Sequence, residues 1–143
     1  VPGLRGRLLA MLHIGFLGLG VAFVLGGVSQ WLVGTLGMGV LALGALHALT
    51  MGCLASLMLA MVTRVSCGHS GRALVADRIV WSLFWCLQAA ALLRIAASVP
   101  GIAGLSLPWL LPVAAGLWAG TMGVWGLRLG RWYGCLRADG RPG

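Results

Sequence analysis

Four long apolar stretches dominate the chain, each bounded by a charge or by a glycine- and proline-rich segment. The first covers about residues 8–32, behind Arg5 and Arg7. The second, about 39–63, follows the uncharged connection WLVGTLGMG and stops at Arg64. The third, about 79–98, starts after Arg78, and the fourth covers about 109–129. Between them VPGIAGLSLP breaks the helix with Pro100, Gly101, Gly104 and Pro108. About 20 helical residues cross a hydrocarbon core, so every stretch suffices. The pattern predicts an all-α fold: a polytopic membrane helical bundle of four transmembrane helices. Residues 1–143 are expected to form a single transmembrane domain, with a polar loop at 64–78.

The second stretch has two readable faces. Gly44, Ala48, Gly52, Ser56 and Ala60 recur every four residues. Small residues at this spacing let helix backbones approach closely in lipid, so the ladder reads as a packing seam. His47, Met51, Leu54, Met58 and Met61 form another stripe, clear of most of the ladder. The fourth stretch carries a smaller seam, Gly116 and Gly120, a weak GxxxG match.

Composition confirms the membrane class. The chain is 60% hydrophobic and 8% charged, where a soluble domain carries about 25% charged residues. All ten basic residues are Arg, and the only acids are Asp77 and Asp139. A net charge of +8 raises nucleic acid as a partner. The arginines, however, sit singly at the ends of apolar runs, with no basic helix and no aromatic RNA-binding pattern. They read instead as orientation signals. Four spans put both termini on one side. Arg5, Arg7, Arg64, Arg72, Arg78, Arg128, Arg131, Arg137 and Arg141 all fall there. Under the positive-inside rule the termini and the 64–78 loop are cytoplasmic, and Arg94 snorkels to the outer interface. The four cysteines contain no CxxC pair and give no disulfide framework. The first apolar run is too long for a cleaved signal peptide.

Several chemistries are excluded. No carboxylate lies inside a span, and no glycine-rich phosphate loop ends in lysine. GHSGR departs from a hydrolase elbow because Arg72 stands where Gly-x-Ser-x-Gly requires glycine. Three histidines remain. Imidazole binds haem iron and copper, and thioether suits Cu(I) or haem. His47 is the sharpest candidate, since an ionisable group in a span faces the bundle interior as a rule, and Met51 follows one turn later. The alternative is an interhelical hydrogen bond, with the methionines serving packing. Counted along the helix, His13 lies about 9 Å from Arg7 and His47 about 25 Å from Arg64. The two sit at different depths and are not expected to share one metal. His69 lies on the side of His13, where Cys67-Gly68-His69 offers a weak metal motif against the alternative of a solvated loop. Arg64 and Arg72 are candidates for holding a haem propionate or lipid phosphate, or for anchoring topology. Cys53 and Cys86 read as packing residues, and Gln88 as a hydrogen-bond donor between helices.

The central stretch HALTMGCLASLMLAMVTRVSCGHSGR (His47–Arg72) resembles the C-terminal signature of the NnrS family, and MLHIGF around His13 resembles a matching earlier span. Those proteins are bacterial inner-membrane proteins of about twelve spans, associated with haem, copper, denitrification and resistance to nitric oxide. The resemblance implies haem or copper ligation by His13, His47 and His69. Arg64, Gly68, Gly71 and Arg72 belong to the signature. Met51 and Cys67 are auxiliary candidates. It also implies that this chain is the C-terminal third of a longer protein whose N-terminal spans are its partners, alongside the lipid bilayer and nitric oxide. Two other readings stand beside it. The broken segment VPGIAGLSLP suits a transporter or permease half, and the small-residue seams suit a structural membrane subunit without a cofactor.

Overall fold

A computed structural model of the chain describes residues 2–39, 41–99 and 108–140. Among them there is helix and no strand. The four helices are α1 (Pro2–Leu36), α2 (Ala42–His69), α3 (Arg78–Ala96) and α4 (Leu110–Gly130). All four are long and apolar enough to cross a membrane. At 1.5 Å per residue, α1 is about 52 Å long, well beyond a hydrocarbon core of about 30 Å. Most of VPGIAGLSLP, the segment on which the transporter reading rests, lies outside the described residues.

Helices α1 and α2 run antiparallel. Gly15 faces Ser56 and Leu57, Gly18 faces Gly52, and Gly26 faces Ala45. The small-residue ladder of α2 is buried throughout: Gly44, Ala48, Gly52, Ser56 and Ala60 all point inward. Lipid tails are as apolar as leucine, so close packing and polar bonds must hold such helices together. The closest approach is at Gly18, where an added Cβ would stand 2.6 Å from the backbone carbon of Gly52. At this crossing α2 changes its winding, and Ala48–Ala55 is π-helical. The Ser56 hydroxyl donates to Met51 O five residues back, at 3.3 Å. Ser56 also accepts from Gln88 Nε2 of α3 at 2.6 Å, the interhelical bond expected of Gln88. Trp125 of α4 donates its indole N–H to Thr63 of α2 at 3.0 Å, both side chains buried. Around these bonds Met11, Leu59, Phe84 and Leu87 form the fully buried centre of the apolar core.

One end of the bundle gathers most of the arginines. There α2 does not stop at Arg64; its hydrogen bonds continue to His69. A charge marks where the apolar run ends, whereas the helix ends only where the backbone is capped. That cap is a Schellman motif. Arg72 N–H donates to Cys67 O at 2.9 Å and Gly71 N–H to Gly68 O at 3.3 Å. Gly71 takes φ +67°, and a Cβ there would stand 2.6 Å from the Asp139 carboxyl carbon. Glycine is therefore required twice, by backbone and by space. The residues after α4 fold back onto this cap. Tyr133 shares a 2.6 Å hydrogen bond with Ser66, and Ala138 N–H donates to Ser70 O at 2.9 Å. Arg137 forms a two-pronged ion pair with Asp139, which raises the guanidinium pKa further. Asp77 caps α3 by accepting from Val80 N at 2.9 Å, and its other oxygen accepts from Arg128. The Gly116–Gly120 seam on α4 is exposed, with open space around both positions.

Candidate functional site

The three histidines occupy three settings. His13 is exposed on α1, and its Nδ1 meets Leu9 O, four residues back, at 2.8 Å. His47 is half-buried near the start of α2, and its Nδ1 meets Leu43 O, again four residues back, at 2.5 Å. A carbonyl only accepts, so in both cases the ring proton sits on Nδ1 and Nε2 carries the lone pair. A backbone carbonyl behind the imidazole is the usual second partner of a metal-binding histidine, because it fixes ring and tautomer. His69 is exposed on the last turn of α2, not in a loop.

The lone pairs of His13 and His47 meet different surroundings. Nε2 of His47 accepts from Arg94 of α3, Nε–H at 3.1 Å and Nη2–H at 2.8 Å. Arg94 therefore turns inward to an imidazole and does not extend to the outer interface as expected of a lone arginine. The sequence held a signal for this pairing. Arg94 lies about 24 Å along its helix from Arg78, and His47 lies about 25 Å from Arg64. Equal depth on neighbouring antiparallel helices places the two side by side. Gly15 marks the level of His13 and Gly26 the level of Ala45 near His47, which separates the histidines by about 16 Å along α1. One metal ion cannot span that gap.

Near His13, at the arginine-rich end, a groove of about 330 Å³ is lined by Leu8, Leu9, Arg64 and Leu74. A second, of about 370 Å³, shares Arg64 and Leu74 and adds Met61, Val65, Gly68 and His69. Arg64 is exposed and stands between the two grooves. This is the placement a guanidinium needs to grip a carboxylate or phosphate from outside. Arg72 is committed elsewhere, stacked over Trp132 at 4.7 Å. Arg128 approaches the same ring at 5.9 Å.

Cys67 is buried beside the α2 cap while His69 is exposed, so the Cys67-Gly68-His69 motif does not present both donors to one side. Among the described residues no three of His, Cys, Asp and Glu come together to hold a metal ion. A metal or haem held here would therefore draw no more than one or two side-chain ligands from the described residues. Met51 follows His47 on the π segment and is half-buried, whereas Met58 and Met61 are exposed.

Comparison with curated proteins and with solved structures finds no match. A family model described as NnrS protein matches residues 2–137, nearly the whole chain and both histidine-bearing helices. The chain belongs to the NnrS family.

Proposed function

We propose that this chain belongs to a haem- or copper-binding protein of the bacterial inner membrane that acts in nitric-oxide resistance or denitrification. The observation that supports it is the geometry at His13, whose Nδ1 is tied to a carbonyl of its own helix while Nε2 is turned to an exposed surface; His47 shares the tether, and its Nε2 accepts from Arg94. Two such imidazoles at two depths fit two separate centres. His13, with Arg64 nearby and His69 beyond it, suits haem: an imidazole for iron and a guanidinium for a propionate. His47 with Met51 suits Cu(I), whose preference is for imidazole and thioether. Held there, haem iron or copper would supply a metal centre able to coordinate nitric oxide. The chain itself fixes the ring orientation of each histidine. The arginine-rich end, with His69 and the α2 cap, faces the cytoplasm in this reading, and His47 lies toward the outer half of the membrane.

Optical spectra and metal analysis of the purified protein, with single His→Ala variants, test the assignment. His13→Ala is expected to remove the haem band and His47→Ala the copper, each leaving the other in place. A protein with neither cofactor, or one whose content ignores both substitutions, would sink the reading. Orientation is read separately from Cys135, which is exposed at the arginine-rich end. A membrane-impermeant maleimide added to intact cells should leave it unlabelled until the cells are opened.

A further inference from the structure

A third groove lies between α3 and α4 at the arginine-rich end. It measures about 480 Å³ and is lined by Ile79, Val124, Leu127, Arg128, Arg131 and Trp132. No histidine lines it, which separates it from the setting of His13 and Arg64. Its wall is ordered by depth. Val124, Leu127, Arg128 and Arg131 follow one another at three, one and three residues, so they share one face of α4. At 1.5 Å per residue, Leu127 lies about 6 Å and Val124 about 10 Å further into the apolar length of the bundle than Arg131. Helix α3 repeats the order: Arg78 opens it and Ile79 follows inward. Ile79, Val124 and Leu127 are exposed aliphatic residues. The cations are not equivalent. Arg128 bonds Asp77 and approaches the Trp132 ring at 5.9 Å, while Arg72 covers that ring at 4.7 Å. Arg78 and Arg131 are exposed, and neither belongs to the ion pairs Arg128–Asp77 and Arg137–Asp139.

We propose that this groove seats an anionic phospholipid, its phosphate held by Arg131 and Arg78 and an acyl chain laid along Leu127, Ile79 and Val124. The reading is independent of haem and copper. A phospholipid carries its charge at the membrane edge and its chains deeper, which is the order of cations and aliphatics on both helices. A guanidinium takes a phosphate through two parallel hydrogen bonds, and basic pockets between membrane helices are where acidic headgroups bind. Trp132 sits at the level where an amphipathic ring meets headgroups, and its contacts with Arg72 and Arg128 keep it there as one wall of the groove. The charge balance selects the kind of lipid. With Asp77 taken by Arg128, the two free guanidinia face no carboxylate. A zwitterionic lipid brings a cation of its own against them, whereas an anionic one does not. A free phosphate would match the arginines and leave the aliphatic wall unused.

The test uses the full chain in nanodiscs of phosphatidylcholine. Each preparation holds a trace of one photoreactive lipid with a diazirine in its acyl chain, either phosphatidylglycerol or phosphatidylcholine. After illumination, labelled residues are mapped by peptide mass spectrometry. The anionic probe is expected to label Ile79, Val124 and Leu127 at least fivefold more than the zwitterionic one, the factor expected of one arginine near the surface. Arg131→Gln should lower the anionic labelling about fivefold. Arg7→Gln removes the same charge from the same end of the bundle, outside the groove, and should leave the labelling unchanged. Equal loss in both variants overturns the proposal, because the attraction then belongs to the whole surface and not to a site. Equal labelling by the two probes in the wild-type chain also overturns it, whether or not a variant folds. So does labelling of these residues by neither probe, since protein then covers the wall. Excess inorganic phosphate should not displace the anionic probe; displacement would show that the anion alone is recognised and would overturn the role given to the acyl chain.

Discussion

His13 and His47 are set on their helices in the same way and finished differently. Each ring is tied through Nδ1 to a carbonyl four residues back. One then presents Nε2 at an exposed surface beside grooves that Arg64 lines, while the other has Nε2 filled by Arg94. The ends of the bundle differ in the same sense. At the His47 end an inward arginine closes the site, while the tight Gly18–Gly52 crossing lies midway between the two histidines. At the other end arginines are spread over Trp81, Trp132, Asp77 and Asp139, and the surface stays open. The contrast teaches that a histidine's own helix fixes its ring and tautomer, whereas the neighbouring helix decides what meets its second nitrogen.

The most disruptive test of this contrast is Gly18→Ala, because the new Cβ meets backbone and not a flexible side chain. It should cost about 3 kcal/mol and part α1 from the π segment. Cys53, buried at the crossing, then becomes reactive to maleimide while the melting temperature in micelles falls. A thiol as protected as before would show that the crossing is not tight. Gly71→Ala comes next, at about 2 kcal/mol for the left-handed backbone and the displaced Asp139. It should unmask Cys67 and leave Cys53 protected. If Cys53 is unmasked as well, the two ends melt as one unit and the comparison breaks. Gln88→Leu removes one polar bond between α2 and α3 but leaves Ser56 its bond to Met51 O, so a loss of about 1 kcal/mol is expected in thermal melting. His13→Leu should be smallest, within about 0.5 kcal/mol at an exposed position, although the same variant should lose haem. A large drop in melting temperature would mean that His13 serves packing.

Much of the fold was legible because lipid imposes simple rules. Four apolar runs gave four helices, and the four-residue ladder of α2 was buried at every position. What could not be read arose from contacts between segments. The π winding of Ala48–Ala55 coincides with pressure from Gly18, distant in sequence, and no local periodicity encodes it. Charge marks the edge of an apolar run, so the sequence points to Arg64 as the end of α2, while the helix runs on to His69 and the Gly71 cap. A lone arginine at a span end reads as one that seeks water; the His47 partner of Arg94 emerges only when two depths are compared. The Gly116–Gly120 spacing had the form of a seam, yet nothing described packs there. For the site itself, the sequence singles out His13, His47, His69, Arg64 and Arg72, with Met51 and Cys67 as auxiliaries. The repeated carbonyl tether, and the commitment of Arg72 to Trp132, required coordinates.

The π segment has a rotational consequence. Each helical residue carries about 100° of turn, so the winding of residues 48–55 sets the compass bearing of His47 relative to everything from Ser56 to His69. Deleting or inserting one residue there would leave the Schellman cap and the Trp125–Thr63 bond in place but swing the imidazole through about 100°, away from α3. The interval between His47 and Arg64 is thus a phase, not merely a length. The eight residues of the π segment keep that phase, and the Arg94 contact reports whether it is correct.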